Sequence, residues 1–150
     1  KMDQHLATAV NQLGGSITNL EEVLDEFIDE SVYVSGIRKD GIKAMVERPE
    51  SLTIVVYDTE PVAIFMGYTY NHPMFLGKAA SDLLMYVKPE KRGSPISMRL
   101  IKMYESWARK MDVNYIMLGQ STGIGNIDRV GKFYEKLGFQ MTGFNLTKGI

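Results

Sequence analysis

Apolar residues recur first at helical spacing, then in short β-rich runs, then in an alternation of the two. Leu6, Ala9, Val10 and Leu13 lie three and four residues apart, which predicts a helix over residues 4–13 that Gly14-Gly15 breaks. A second helix is expected from about Asn19, with Glu22 as its capping-box partner. Its stripe is Leu20, Val23, Leu24, Phe27 and Ile28. A third, short helix runs from Asp40 to about Arg48 and is stopped by Pro49.

The period then changes. Residues 52–57 (LTIVVY) and 62–70 (VAIFMGYTY) read as strands, and Asp58-Thr59-Glu60-Pro61 between them reads as a hairpin turn. Residues 82–87 (DLLMYV) form a third strand. The longest helix is expected from Ile96 to about Met111, with Ile96, Leu100, Met103, Tyr104, Trp107 and Met111 on one face. A strand at 115–118, a helix at 128–137 ending on Gly138 as its C′ glycine, and a last strand from Phe139 to Thr147 complete the series. Helices, a hairpin and then β-α-β-α-β predict an α/β (α+β) fold. Its core would be a mixed, mostly antiparallel sheet with helices on both faces, in one domain spanning 1–150.

Composition narrows the chemistry. The chain has no cysteine, which excludes disulfides, thiolate metal sites and a thiol nucleophile of its own. Two histidines, His5 and His72, are too few for a histidine metal cluster, so no metal is expected. A net charge of -1 argues against a general nucleic-acid binder. No apolar run approaches the ~18 residues of a membrane span, and the first residues lack the layout of a secretory signal, so a cytoplasmic protein is expected.

The connection Val87-Lys88-Pro89-Glu90-Lys91-Arg92-Gly93-Ser94-Pro95-Ile96-Ser97 joins a buried strand to the longest helix. Ser94 suits the N-cap and Pro95 the first helical position. The free amides of the helix start form an anion cradle, Lys91 and Arg92 stand just before it, and Gly93 permits close approach of a ligand. By composition alone a capped strand-to-helix turn is the favoured reading.

Val87-x-Pro89-Glu90-x-Arg92-Gly93 ahead of a long amphipathic helix resembles the acetyl-CoA loop of the GNAT acetyltransferases. Phe133-Tyr134-Glu135-Lys136-Leu137-Gly138-Phe139 resembles the same family's second signature, and the resemblance covers roughly residues 50–148. The family's loop usually places glycines where Pro95 and Ser97 stand here, so one backbone donor is missing. Leu118-Gly119-Gln120-Ser121-Thr122-Gly123-Ile124 resembles a form found in phage-encoded members.

The resemblance implies splayed central strands, with the pantetheine arm of acetyl-CoA pairing along Met85 and Val87. It places the pyrophosphate over Arg92, Gly93, Ser94, Ile96 and Ser97, and adds Asn126 to the cofactor contacts. An amine would attack the thioester directly, with no acyl-enzyme, while an amide near Met85 or Tyr86 polarises the carbonyl. Tyr134 corresponds to the tyrosine that protonates the departing thiolate. A phenol ionises near pH 10 and a thiol near 8.5, so the phenol can donate at neutral pH. On helical pattern alone, Tyr134 shares a face with Val130, Phe133 and Leu137 and reads as packing. Asp82 is the one carboxylate placed to act as base, and a water shuttle is the alternative.

The acceptor would lie against residues 20–48 and 71–80. There the acidic face Glu21, Glu22, Asp25, Glu26, Asp29 and Glu30 would attract a cationic small-molecule or protein amine, although a solvated helix face explains it as well. His72 reads as a loop residue. The family opens with a strand where residues 4–13 read as helical, so pairing with a second copy as a homodimer is one expectation. A non-catalytic acyl-CoA-binding or host-protein interaction module on the same fold is the alternative function. Gly119 to Gly125 is glycine-rich but lacks the Gly-Lys-Ser/Thr of a phosphate loop, which argues against a nucleotide hydrolase.

Overall fold

A computed structural model describes residues 7–11, 23, 27, 39–74, 77–119, 127–143, 146 and 148–150. Its elements are β1 (Ala7–Asn11), α1 (Lys39–Glu47), β2 (Ser51–Asp58), β3 (Glu60–Asn71), β4 (Lys78–Val87), α2 (Ile96–Lys110), β5 (Tyr115–Met117) and α3 (Ile127–Lys136). Among the described residues no helix is long and apolar enough to cross a membrane. β1 to β5 belong to one compact unit, Lys1–Met117, and α3 to a second, Leu118–Ile150.

The five strands pair in chain order, β1-β2-β3-β4-β5, and only β4 and β5 run parallel. Val55, Ile64, Met66, Leu84 and Tyr86 on one face of this mixed sheet pack against Val23, Phe27, Ile42 and Val46, all helical. α2 supplies the buried side chains Ile96, Leu100, Ile101, Tyr104, Trp107 and Ala108. The Tyr104 ring meets Phe65, whose strand position alternates with Ile64 and Met66, so α2 covers the opposite face. The expected layering of helices on both faces is therefore present.

Three boundaries differ from those read in the sequence. Residues 7–11 form a strand, not a helix. Their backbone pairs antiparallel with β2 from Ala7↔Tyr57 to Asn11↔Thr53, and the buried edge of β2 needs that partner for its N–H and C=O groups. Helical spacing within so short a segment is overridden by this long-range pairing. β4 begins at Lys78, earlier than expected, because its first core residues are Ala79 and Ala80, fully buried residues of weak strand propensity. Its start is fixed by Asn114, whose Oδ1 accepts the Lys78 N–H at 2.9 Å and whose own N–H donates to the Lys78 carbonyl at 2.8 Å. Finally, the described residues 139–143 and 146 belong to no strand. Gln140 to Gly143 are exposed, so the alternation in that stretch has no apolar face to bury.

The short helix α1 ends where proposed. Ser51 Oγ shares its single proton between the carbonyls of Val46 (3.1 Å) and Arg48 (2.9 Å), groups that a helix end leaves open. Phe27 anchors the helical layer: it is 0% exposed and meets the Tyr86 ring edge-on at 5.6 Å. Phe27→Ala is expected to lower unfolding free energy by about 3–5 kcal/mol in urea denaturation. A loss under ~1 kcal/mol would show that this face is not the core.

Candidate functional site

The site grows out of the place where β5 stops. β4 and β5 pair at Ala79↔Tyr115, Ala80↔Ile116 and Ser81↔Met117, whereas β4 stays paired with β3 as far as Ala63↔Val87. From Asp82 to Val87 β4 thus has a partner strand on one side only, among the described residues. Every second residue there turns its N–H and C=O away from β3. This is the divergence of central strands that the resemblance implied.

A bulge marks the point of divergence. The β3–β4 register passes from Met66↔Leu84 to Gly67↔Asp82, which leaves Leu83 as the extra residue, 45% exposed between two paired neighbours. Gly67 sits in a tight space opposite it. A Cβ there would stand 3.1 Å from both Phe65 Cε1 and the Ser81 carbonyl oxygen, and 3.3 Å from Tyr104 Cε1. Tyr104 closes the arrangement from α2: fully buried, it donates its hydroxyl to the Met117 carbonyl at 2.9 Å. Burial first, and then the charge of Asp82, push its pKa far up, so the phenol stays a donor. Neither Gly67 nor Tyr104 was marked as functional by the sequence; both read as ordinary strand and helix-core positions.

Asp82 itself is half-buried beside this bulge. Further along, Met85 is half-buried and Tyr86 and Val87 are buried. Lys88 takes the extended conformation required before a proline, and its N–H donates to the Val62 carbonyl at 2.9 Å. Pro89–Lys91 form a single 3-10 turn. Lys91 Nζ pairs with Asp58 Oδ2 at 2.6 Å, which ties the connection to the β2–β3 turn. Arg92 Nε donates to the Val87 carbonyl at 2.9 Å, and its guanidinium lies 5.4 Å from the centre of the Tyr86 ring. Both cations are therefore engaged by the fold. The Asp58 contact was not anticipated, because its partner lies 33 positions away in sequence.

Gly93 has φ +83°, a conformation that favours glycine, and nothing stands within 4 Å of where a Cβ would be. Its use is backbone conformation with open space above it. The helix start differs by one residue from the expected one. Pro95, not Ser94, occupies the cap position, with ψ 2°. Ser94 Oγ donates to the Lys91 carbonyl at 2.5 Å and accepts the Ile96 N–H at 3.5 Å. The Arg99 N–H reaches the Pro95 carbonyl at 3.0 Å, so the amides of Ser97 and Met98 precede the first intrahelical bond. The Ile96 side chain is 1% exposed and its N–H already faces Ser94 Oγ, so the structure does not bring it to the site.

Tyr134 belongs to the second unit, and its local frame is well defined. The Gly138 N–H donates to the Glu135 carbonyl (3.0 Å) and the Phe139 N–H to the Tyr134 carbonyl (3.2 Å). With Gly138 at φ +95° this is a Schellman motif, and Tyr134 and Phe139 make its accompanying ring contact at 6.2 Å. The C′ glycine read in the sequence thus stands where expected. Tyr134 is half-buried, with Phe133 also nearby at 5.9 Å. Asn126 lies outside the described residues.

The sequence model of the acetyltransferase (GNAT) family matches residues 19–139. No curated protein matches the sequence. Among solved structures, a transcriptional regulator from Bacillus halodurans C-125 is 16% identical, with a TM-score of 0.71 over 96% of this chain and 100% of that one. An aminoglycoside acetyltransferase from an uncultured soil metagenomic sample, in complex with sisomicin, is 13% identical with a TM-score of 0.64, over 99% and 100%. AAC(6')-Iy, in complex with the bisubstrate analog CoA-S-monomethyl-acetylneamine, is 14% identical with a TM-score of 0.70, over 96% and 98%. At such identities the likeness is one of fold.

Tyr104→Phe removes the donor to Met117 and is expected to cost about 1–3 kcal/mol, since a buried carbonyl loses its partner. The raised pKa adds a pH signature. The stabilisation is complete below the unfolded phenol's pKa near 10 and is lost as pH rises further. Wild-type stability should therefore fall more steeply above pH 10 than that of the variant. Parallel curves would remove the ionisation from the account.

Proposed function

The chain belongs to the acetyltransferase (GNAT) family, and from that premise we propose that it transfers the acetyl group of acetyl-CoA to a primary amine. The observation that carries this reading is the one-sided stretch of β4 from Asp82 to Val87, leading directly into the turn before α2. Backbone groups that point away from β3 along that stretch suit the amides of a pantetheine arm. The amides of Ser97 and Met98, at the positive end of α2, suit a pyrophosphate. Pro95 withholds one donor, and the Ser97 hydroxyl beside the remaining amides offsets that loss.

Each residue then has a role in direct transfer. The amine nitrogen forms its bond to the thioester carbonyl carbon as the carbon–sulfur bond breaks. A backbone N–H near Met85 or Tyr86 stabilises the developing charge on oxygen. Tyr134 O–H protonates the leaving thiolate, and Asp82, or a water, takes the proton that the amine gives up. No acyl-enzyme is needed, consistent with a chain that has no cysteine. The neighbours solved with sisomicin and with a CoA bisubstrate analog support an amine acceptor. A cytoplasmic location, where acetyl-CoA is at hand, is part of the same proposal.

Acetyl-CoA is expected to raise the melting temperature, and no shift at saturating cofactor would end the proposal at its first step. Tyr134→Phe should lower kcat by about 100-fold with little change in acetyl-CoA affinity. Thermal stabilisation by acetyl-CoA with no CoA released across an amine panel would instead establish a binding module.

A further inference from the structure

The tip of the β2–β3 hairpin touches the connection between β4 and α2 at two points. The β2–β3 register passes from Val56↔Ala63 to Tyr57↔Pro61, which leaves Val62 as an extra residue on β3. The Val62 carbonyl accepts the Lys88 N–H at 2.9 Å, one residue past the end of β4. Beyond this bulge Asp58 ends β2 opposite Glu60, and its Oδ2 accepts from Lys91 Nζ at 2.6 Å. Thr59, at the turn, has φ +62°, a conformation that residues other than glycine rarely adopt. Its Oγ1 donates to the Asp58 carbonyl at 2.6 Å, so the backbone that carries the carboxylate is itself held.

Lys91 is where this contact meets the start of α2. Its N–H donates to the Lys88 carbonyl at 2.9 Å. Its carbonyl accepts both the Ser94 N–H at 3.3 Å and the Ser94 hydroxyl at 2.5 Å. Ser94 Oγ in turn accepts the Ile96 N–H at 3.5 Å. A chain of bonds therefore runs from the Asp58 carboxylate through Lys91 and Ser94 to the first residue of α2. Between Lys91 and Ser94 lies Gly93, at φ +83°. A glycine gives a turn many conformations to choose from, so one conformation persists only where the flanking residues are held.

Electrostatics alone would not put a carboxylate here. A pyrophosphate site gains from positive charge, yet Asp58 offsets the charge of Lys91. The two side chains are 29% and 32% exposed, and an ion pair this accessible adds little to the stability of the fold. What the pair supplies is geometry, because it fixes one end of the turn around Gly93.

We propose that Asp58 is a positioning residue for acetyl-CoA. By holding Lys91 it sets the Lys91–Ser94 turn, and with it the amides of Ser97 and Met98, before the pyrophosphate arrives. This rests on the reading that acetyl-CoA lies along β4 and over the start of α2, and it adds to that reading a residue that acts only through another. Donors already in place pay no ordering cost when the ligand binds.

The test measures acetyl-CoA affinity of the full chain by titration calorimetry, together with the melting temperature without ligand. Asp58→Asn keeps the size of the side chain and removes its charge. It should bind acetyl-CoA about 3- to 5-fold more weakly than wild type, although the variant is one unit more positive. Asp58→Glu restores the carboxylate and should bind within about twofold of wild type. Both variants should melt, ligand-free, within about 4 °C of wild type. Unchanged or tighter binding by Asp58→Asn overturns the proposal, since the carboxylate would then only neutralise Lys91. A Glu variant as weak as the Asn variant overturns it too. So does a larger fall in melting temperature, which would make Asp58 a residue of the fold and not of the site. Wild type that binds no acetyl-CoA sinks the cofactor reading itself, whereas binding by wild type that Asp58→Asn leaves intact sinks the positioning role alone.

Discussion

The Met117 carbonyl accepts the Tyr104 hydroxyl at the last residue of β5, and much of the arrangement depends on that bond. That phenol uses one of the carbonyl's two lone pairs and pins the end of β5 to α2. The parallel pairing ends at Ser81↔Met117, while β4 runs on beside β3. The bulge at Leu83 and the missing side chain at Gly67 complete the local geometry. A larger residue at 67 would press on the Tyr104 ring, on Phe65 and on the Ser81 carbonyl together.

One helix couples the two halves of the proposed site. The amides of Ser97 and Met98 precede the first intrahelical bond of α2, and Tyr104 lies on the same helix about 12 Å further along its axis. Both positions are fixed by the buried row from Ile96 to Trp107. The connection ahead of α2 is likewise held, with Lys91 on Asp58 and Arg92 on the Val87 carbonyl. A rigid frame of this kind holds backbone donors in place before a ligand arrives, and preorganisation is where such donors gain their value.

Much of this was legible in the sequence because the signals were local. The hairpin, the helix from Ile96 and the C′ glycine at 138 each follow from propensity or turn chemistry within a few residues. The family signatures were equally local, at Val87–Gly93 and Phe133–Phe139. What could not be read depended on distant partners. The strand at residues 7–11 exists because β2 offers an edge, and the early start of β4 follows from Asn114 and two buried alanines. Gly67 and Tyr104 acquire their roles only once the bulge brings them together. The residues proposed for proton transfer, Tyr134 and Asp82, stand out by resemblance alone.

The central claim is that β4, from Asp82 to Val87, receives acetyl-CoA through the backbone groups that point away from β3. Amide hydrogen exchange with and without acetyl-CoA tests this most directly, because it reads those N–H groups one segment at a time. Exchange should slow in residues 82–87 and 96–98 on cofactor binding, while the β2–β3 hairpin stays unchanged. Unchanged exchange in β4 at saturating acetyl-CoA, or protection confined to other segments, would contradict the account.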